Sequence, residues 1–179
     1  IMLLSLDVST TTVGVCILDD VGEIVLLDHI DLSKHKVDVY KKAVIVKTYL
    51  EKLAKEYEYT IDKIVIEEFL LRFRPGKSSA HTLTTLARFN GIISFICSQV
   101  FLVTPSHTIF THARKVVGIH IDKKLKKTIG LKTIIIDFAK SALGDKLKID
   151  YTKTGKYKPY MADRADAWVL ARATYLDNL

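Results

Sequence analysis

The chain has 179 residues, of which 49% are apolar and 26% charged, and this composition is typical of a globular domain rather than a disordered segment. Its formal net charge of +7 predicts a polyanionic partner, with nucleic acid favoured over an anionic membrane surface. The longest apolar stretch, 91–103, is too short and too interrupted to cross a bilayer, and no apolar leader precedes the first strand, so we expect neither a membrane span nor a signal peptide.

The two cysteines indicate a reducing environment. Cys16 and Cys97 lie in apolar runs, and neither has a second cysteine at CxxC spacing. We therefore expect buried free thiols and an intracellular location such as the cytoplasm or nucleoid, with a viral or organellar origin left open. The histidines form no metal-ligand spacing with these cysteines, so a zinc site is not expected.

The hydrophobic pattern predicts five strands and five helices in chain order. Three apolar, β-branched segments separated by polar turns predict an antiparallel meander over 2–7, 13–18 and 23–30. A helix over 37–57 and a nearly continuous apolar strand over 61–67 follow. The remaining predicted elements are a loop over 72–79, a helix over 80–100, a strand over 101–104, helices over 106–117 and 128–143, a polar loop over 146–161 and a closing helix over 163–176.

This order predicts an α/β fold, a five-stranded mixed sheet flanked by helices, in one domain over 1–179. The crossover after the meander places the fourth strand beside a central first strand. The carboxyl ends of these two strands then meet at one edge of the sheet, where sites in α/β folds usually form.

Carboxylates stand at the ends of these apolar elements. Asp7 closes the first strand, Glu67 and Glu68 close the fourth, and Asp163 and Asp166 open the last helix three residues apart, on one face. Such groups are costly to bring together unless a cation compensates them, and their oxygens suit Mg²⁺, with Mn²⁺ as a substitute. Each has a plainer alternative, because Asp7 suits a turn and Asp163 a helix N-cap. The tandem glutamates leave the choice of ligand open.

Taken in order, these residues resemble the RuvC-like Holliday junction resolvases of the RNase H-like superfamily, over most of the chain. The matching features are Asp7 with the hydroxyl-rich turn after it, Glu67 at the end of the fourth strand, Pro105 with Arg114-Lys115-Val116-Val117-Gly118, the pair Lys123-Lys124, and Asp163-Arg164-Ala165-Asp166-Ala167. The polar segment 145–161 is longer than the family pattern.

The resemblance implies an RNase H-like fold and a structure-selective DNA endonuclease that resolves four-way junctions by two-metal phosphodiester hydrolysis. It makes Asp7, Glu67, Asp163 and Asp166 both the catalytic residues and the metal ligands, with two Mg²⁺ ions per site. Asp7 would bridge both ions, Glu67 and Asp166 would hold one each, and Asp163 would add to the site.

Basic residues are candidates for DNA contacts. The candidates are Arg72, Phe73, Arg74 and Lys77 beyond the fourth strand, with Lys115, Lys123 and Lys124 later in the chain. Lysines alternating with tyrosines over 151–160 form a third candidate surface. The alternative for each is a solvated, solubilising face.

The partners implied are branched DNA and a second copy of the chain. A four-way junction has twofold character, and a homodimer would match it. The helix over 80–100 is the candidate interface because its apolar residues exceed one narrow stripe, namely Phe89, Ile92, Ile93, Phe95 and Ile96.

Other functions share parts of this pattern. A general branched-DNA or flap nuclease and an RNase H-type hybrid nuclease would use the same metal chemistry. The turn after Asp7 is also similar to the phosphate turn of ATP-binding actin and sugar-kinase domains, but the chain has no glycine-rich second motif. A non-catalytic DNA-binding relative is disfavoured because all four carboxylates are present.

Overall fold

A computed structural model describes residues 2–58, 60–69 and 79–179 of the chain. The strands are β1 (Met2–Val8), β2 (Thr12–Leu18), β3 (Ile24–Asp31), β4 (Ile61–Glu67) and β5 (Ser106–Thr108). They form one sheet in the order β3-β2-β1-β4-β5. β2 runs antiparallel to both β1 and β3, whereas β4 runs parallel to β1 and to β5. The predicted five-stranded mixed sheet with a central first strand is therefore confirmed.

Helices cover both faces of this sheet. They are α1 (Val39–Glu56), α2 (Ala80–Phe101), α3 (Phe110–Val117), α4 (Lys123–Ile129), α5 (Leu131–Leu143) and α6 (Tyr160–Asp177), with a 3-10 turn at Gly144–Lys146. One core lies between the sheet and α1 and α2, and the other between the sheet and α3, α5 and α6. No helix in the described ranges has the length and apolarity needed to cross a membrane.

The central strand β1 divides its side chains between the two cores, as strand alternation requires. Leu4 and Leu6 are fully buried against the α1 and α2 side. Leu3 belongs to the α6 side. Ser5 and Asp7, two and four residues later, therefore lie on the α6 side as well. Cys16 and Cys97 are buried free thiols, as predicted.

The prediction of a fifth strand over 101–104 was wrong. Phe101 is the last residue of α2, and Leu102 ends that helix with a left-handed backbone at φ +57°. The strand is instead Ser106–Thr108, three polar residues in which alternation gives no signal. It exists because its backbone pairs with β4, and the Ser106 hydroxyl donates to the Ile64 carbonyl at 3.0 Å. The helix predicted from 106 accordingly begins at Phe110.

Two later helix boundaries also differ from the prediction. The single helix predicted over 128–143 is interrupted at Gly130, whose φ of +84° separates α4 from α5. The closing helix begins at Tyr160 rather than at residue 163. Asp163 thus lies inside the first turn and is not the N-cap.

Candidate active site

Two adjacent parallel strands bring Asp7 and Glu67 together. Ser5 of β1 lies opposite Val65 of β4, and each of the two carboxylates stands two residues further on, on the α6 side. Asp7 is 7% exposed. Its carboxyl interacts with that of Glu67, whose charge raises the pKa of Asp7. The two strand ends therefore form a buried carboxyl pair.

Helix α6 lies directly over this pair. The Ser5 hydroxyl donates to the carbonyl of Ala167 at 2.5 Å, which ties α6 to β1. Gly14, opposite Asp7 on β2, faces the backbone of Asp163, and an added Cβ there would lie 2.0 Å from the Asp163 carbonyl oxygen. A glycine in the middle of β2 thus permits a close approach that carries Asp163 and Asp166 over the sheet.

Burial raises the pKa values of all four acidic side chains, and the charges of neighbouring carboxylates raise those of Asp7, Glu67 and Asp166 further. Burial raises the pKa of Asp7 well above its ordinary value, and the charges of Asp166, Glu67 and Asp163 raise it further. Burial, followed by the charge of Asp166, raises the pKa of Glu67 to about 7. Burial likewise raises the pKa of Asp166 to about 7 and that of Asp163 to about 6. Ionising all four groups near neutral pH is therefore unfavourable without a compensating cation.

Two basic side chains supply part of that compensation. The charge of Arg114 on α3 lowers the pKa of Glu67 and of Asp166, and Lys132 on α5 lowers that of Asp163 and of Asp166. The sequence prediction gave neither residue a place in the site. Arg114 stands in the segment Arg114-Lys115-Val116-Val117-Gly118 that carried the resemblance, which was a usable signal. The sequence carried no such signal for Lys132, because this residue follows a helix break at Gly130 that was not predicted.

The structure distinguishes the tandem glutamates. Glu67 points to Asp7, and its backbone carbonyl accepts a 3.0 Å hydrogen bond from the side chain of the buried Asn90. Glu68 is exposed beyond the end of β4, where its amide donates to the carbonyl of Thr108 at 2.9 Å. Glu67 is therefore the glutamate of the carboxylate cluster, and its catalytic role stays a prediction.

The fold of this chain is similar to that of solved structures, whereas its sequence gives no match. No family model and no curated sequence matches the chain. Two solved structures match almost all of it: Thermus thermophilus RuvC in complex with a Holliday junction substrate, with a TM-score of 0.67, and the T. thermophilus RuvC structure, with a TM-score of 0.62. The first is 8% identical and the second 10%; the match covers 99% of this chain in both cases, and 95% and 96% of those chains respectively. The chain has a RuvC-like fold.

The four candidate ligands at the edge of this RuvC-like fold are chemically suited to a hard cation. All four candidate ligands are carboxylates, and the buried Oδ1 of Asp166 has no hydrogen-bond partner among the described residues. Within those same residues, however, no group of three or more His, Cys, Asp or Glu side chains has the spacing of a metal site. Because burial raises the pKa values of Asp7 and Glu67, a proton competes with a cation for their oxygens.

The structure describes only some of the candidate DNA-binding residues. Lys115 on α3 and Lys123 and Lys124 on α4 are exposed, and their contact with DNA stays a prediction. The candidates Arg72, Phe73, Arg74 and Lys77 lie outside the described residues.

Proposed function

We propose that this chain is a metal-dependent, structure-selective endodeoxyribonuclease that resolves four-way junctions. The observation that carries the proposal is the cluster of Asp7, Glu67, Asp163 and Asp166 at the carboxyl edge of β1 and β4, each with a pKa raised mainly by burial. The likeness to an RuvC captured with a Holliday junction substrate supports branched DNA as the substrate class.

The four carboxylates would together hold two Mg²⁺ ions, which Mn²⁺ could replace. When bound, such ions activate the attacking water and stabilise the leaving oxygen of an in-line displacement. Burial of Asp7 beneath α6 limits the water that competes for its oxygens. Arg114 favours the ionised form of Glu67 and Asp166, the form in which a carboxylate serves as a ligand. The Asn90–Glu67 hydrogen bond fixes the end of β4.

We further propose a homodimer formed through α2, so that two sites face the two strands to be cut. Of the apolar residues on this helix, Phe89, Ile93 and Ile96 are buried within the protein. Phe95 is 65% exposed, and Leu102 at the end of the helix is 88% exposed. Leu102 follows the last residue of the helix, at its C-cap. Of the five residues predicted for the proposed interface, Phe95 is the exposed one.

The setting is intracellular under this proposal, because the protein acts on DNA and its two thiols are free and buried. The whole of 1–179 serves as one nuclease domain.

The test compares cleavage of four-way junctions, flaps, RNA–DNA hybrids and linear duplex, each with Mg²⁺ or Mn²⁺. We expect junction cleavage to be preferred and to need the metal. Asp7→Asn is expected to reduce the rate at least about 100-fold. The matched control is Asp62→Asn, which removes an exposed carboxylate on β4 and should leave the rate unchanged. Junction cleavage that persists in Asp7→Asn would refute the proposal.

A further inference from the structure

A groove of about 650 Å³ separates the start of α5 from the polar segment that precedes α6. Its walls include Lys132, Tyr151, Lys156 and Lys158. We propose that this groove binds single-stranded DNA next to the carboxylate cluster, with the three lysines on phosphates and Tyr151 stacked on an unpaired base. This inference rests on the proposed function and deepens it.

The outer wall of the groove is a hydrogen-bonded hairpin, which we call the 150–158 hairpin. The Thr152 amide donates to the carbonyl of Lys156 at 2.7 Å, and the Lys158 amide donates to the carbonyl of Asp150 at 3.0 Å. Gly155 provides the left-handed φ of +77° that the tight turn requires. The wall therefore has a defined shape that can present its side chains to a ligand.

Side-chain contacts attach this hairpin to α5. The Tyr157 hydroxyl donates to Asp137 Oδ1 at 2.5 Å, and Lys140 Nζ donates to the Tyr151 hydroxyl at 3.3 Å. The hairpin and the helix thus form two walls held at a fixed separation.

The groove is cationic. Lys132, Lys156 and Lys158 are exposed, and none of them is ion-paired with an acidic side chain in the described ranges. The two nearby aspartates are already engaged, Asp137 by Tyr157 and Asp150 by the Tyr160 hydroxyl at 2.8 Å and by Arg164. The ammonium groups therefore remain available for phosphates, whose counterions are released on contact.

One end of the groove lies near the carboxylate cluster. Ala162, which lines the groove, directly precedes Asp163 in α6. Lys132 also lines it, and its charge acts on both Asp163 and Asp166. A strand lying in the groove would thus pass close to the site where we propose that cleavage occurs.

Tyr151 offers a stacking surface. Its ring lies on that of Tyr157, with centroids 5.5 Å apart and planes inclined by 24°, while 48% of the residue remains exposed. A supported, half-exposed aromatic ring next to lysines is the arrangement by which proteins hold unpaired bases with little regard to sequence.

The test measures binding of fluorescein-labelled oligo(dT) by anisotropy between about 50 and 200 mM salt. The variant Lys156→Gln/Lys158→Gln is compared with Lys41→Gln/Lys52→Gln, which removes two exposed lysines from α1 on the opposite face of the sheet. We expect the groove variant to reduce the magnitude of the salt slope by about 1.4 and to weaken binding about 25-fold at 0.1 M salt, with the control close to wild type.

A second pair of variants isolates stacking. Tyr151→Leu should weaken oligo(dT) binding at least about fivefold. Tyr40→Leu, at an α1 tyrosine that is 60% exposed, should leave it unchanged.

The outcomes separate the groove from the nuclease. If the wild type cuts no DNA but the groove variant loses oligo(dT) binding, the nuclease proposal fails and the groove stands. If the wild type cuts junctions and the groove variant binds oligo(dT) like its control, the groove is refuted and the nuclease stands. An equal loss of binding to a linear duplex would assign the lysines to duplex DNA and refute the single-strand assignment.

Discussion

Gly14 of β2 and Asp163 of α6 are in direct backbone contact where the helix packs on the sheet. A Cβ built on Gly14 would lie 2.0 Å from the carbonyl oxygen and 2.6 Å from the carbonyl carbon of Asp163. Neither atom belongs to a flexible side chain, so a larger residue at position 14 can be accommodated only by moving α6. Because Gly14 pairs with Asp7, that movement would separate Asp163 and Asp166 from the strand carboxylates.

We therefore expect Gly14→Ala to destabilise the protein by at least about 2 kcal/mol and to abolish cleavage. Urea unfolding and a junction-cleavage assay measure the two effects. The control is Gly91→Ala in α2, where an added Cβ meets nothing within 4 Å. That substitution should raise stability by about 0.5–1 kcal/mol, because alanine favours the helix. Equal stabilities for the two variants would contradict the close contact.

The fold was predictable from the sequence where side-chain patterns carry the information. The meander, the parallel fourth strand and the positions of Asp7 and Glu67 follow from apolar runs that end in carboxylates. β5 was not predictable in this way, because Ser106–Thr108 form a strand through backbone pairing with β4 alone. Gly14 was a missed signal, since an isolated glycine within a strand pattern often marks a close backbone approach. Arg114 entered the site only once α3 was placed.

The tandem glutamates give a prediction with its own internal control. Glu67→Gln should lower the cleavage rate at least about 100-fold, because Glu67 lies beside Asp7 in the carboxylate cluster. Glu68→Gln should retain the rate, because Glu68 is exposed past the end of β4. Single-turnover cleavage of a four-way junction measures both. The reverse result would mean that β4 is shifted by one residue in the functional protein.

Without metal, the stability of the fold should fall as pH rises, and Mg²⁺ should restore it. Glu67 and Asp166 have folded-state pKa values raised to about 7, above the ordinary 4.5 and 3.8. Raised carboxyl pKa values stabilise the fold below the unfolded pKa, and that stabilisation is lost as pH rises through the folded pKa. In EDTA we therefore expect Tm to fall between about pH 5 and pH 8.

Mg²⁺ should reverse this loss, because it binds the ionised carboxylates. The increase in Tm on adding Mg²⁺ should be larger near pH 8 than near pH 5, and Asp7→Asn should reduce it while Asp62→Asn should not. Calorimetry or dye-monitored melting measures these shifts without relying on catalysis. A Tm that rises with pH in EDTA would show that burial and the neighbouring charges do not disfavour ionisation of these carboxylates.

Arg114 should set the acid limit of activity. Its charge lowers the pKa of Glu67 and of Asp166, so Arg114→Gln should move the acid limb of the pH–rate profile to higher pH. Lys115→Gln, which removes an exposed charge from the adjacent position, should not move it. A change in rate with an unchanged profile would assign Arg114 to DNA binding rather than to the ionisation of the carboxylates.

Phe95 tests the proposed dimer. Its ring is 65% exposed on α2, while neighbouring apolar residues of the helix are buried within the protein. If two copies associate through this helix, Phe95→Glu places a charge in the interface and should raise the dimer dissociation constant at least about tenfold. Val44→Glu is the matched control, because Val44 is 61% exposed on α1. Sedimentation equilibrium measures both. Because symmetric cutting needs two sites, a dissociated Phe95→Glu protein should nick one strand of a junction and lose paired cleavage, whereas Val44→Glu should retain it.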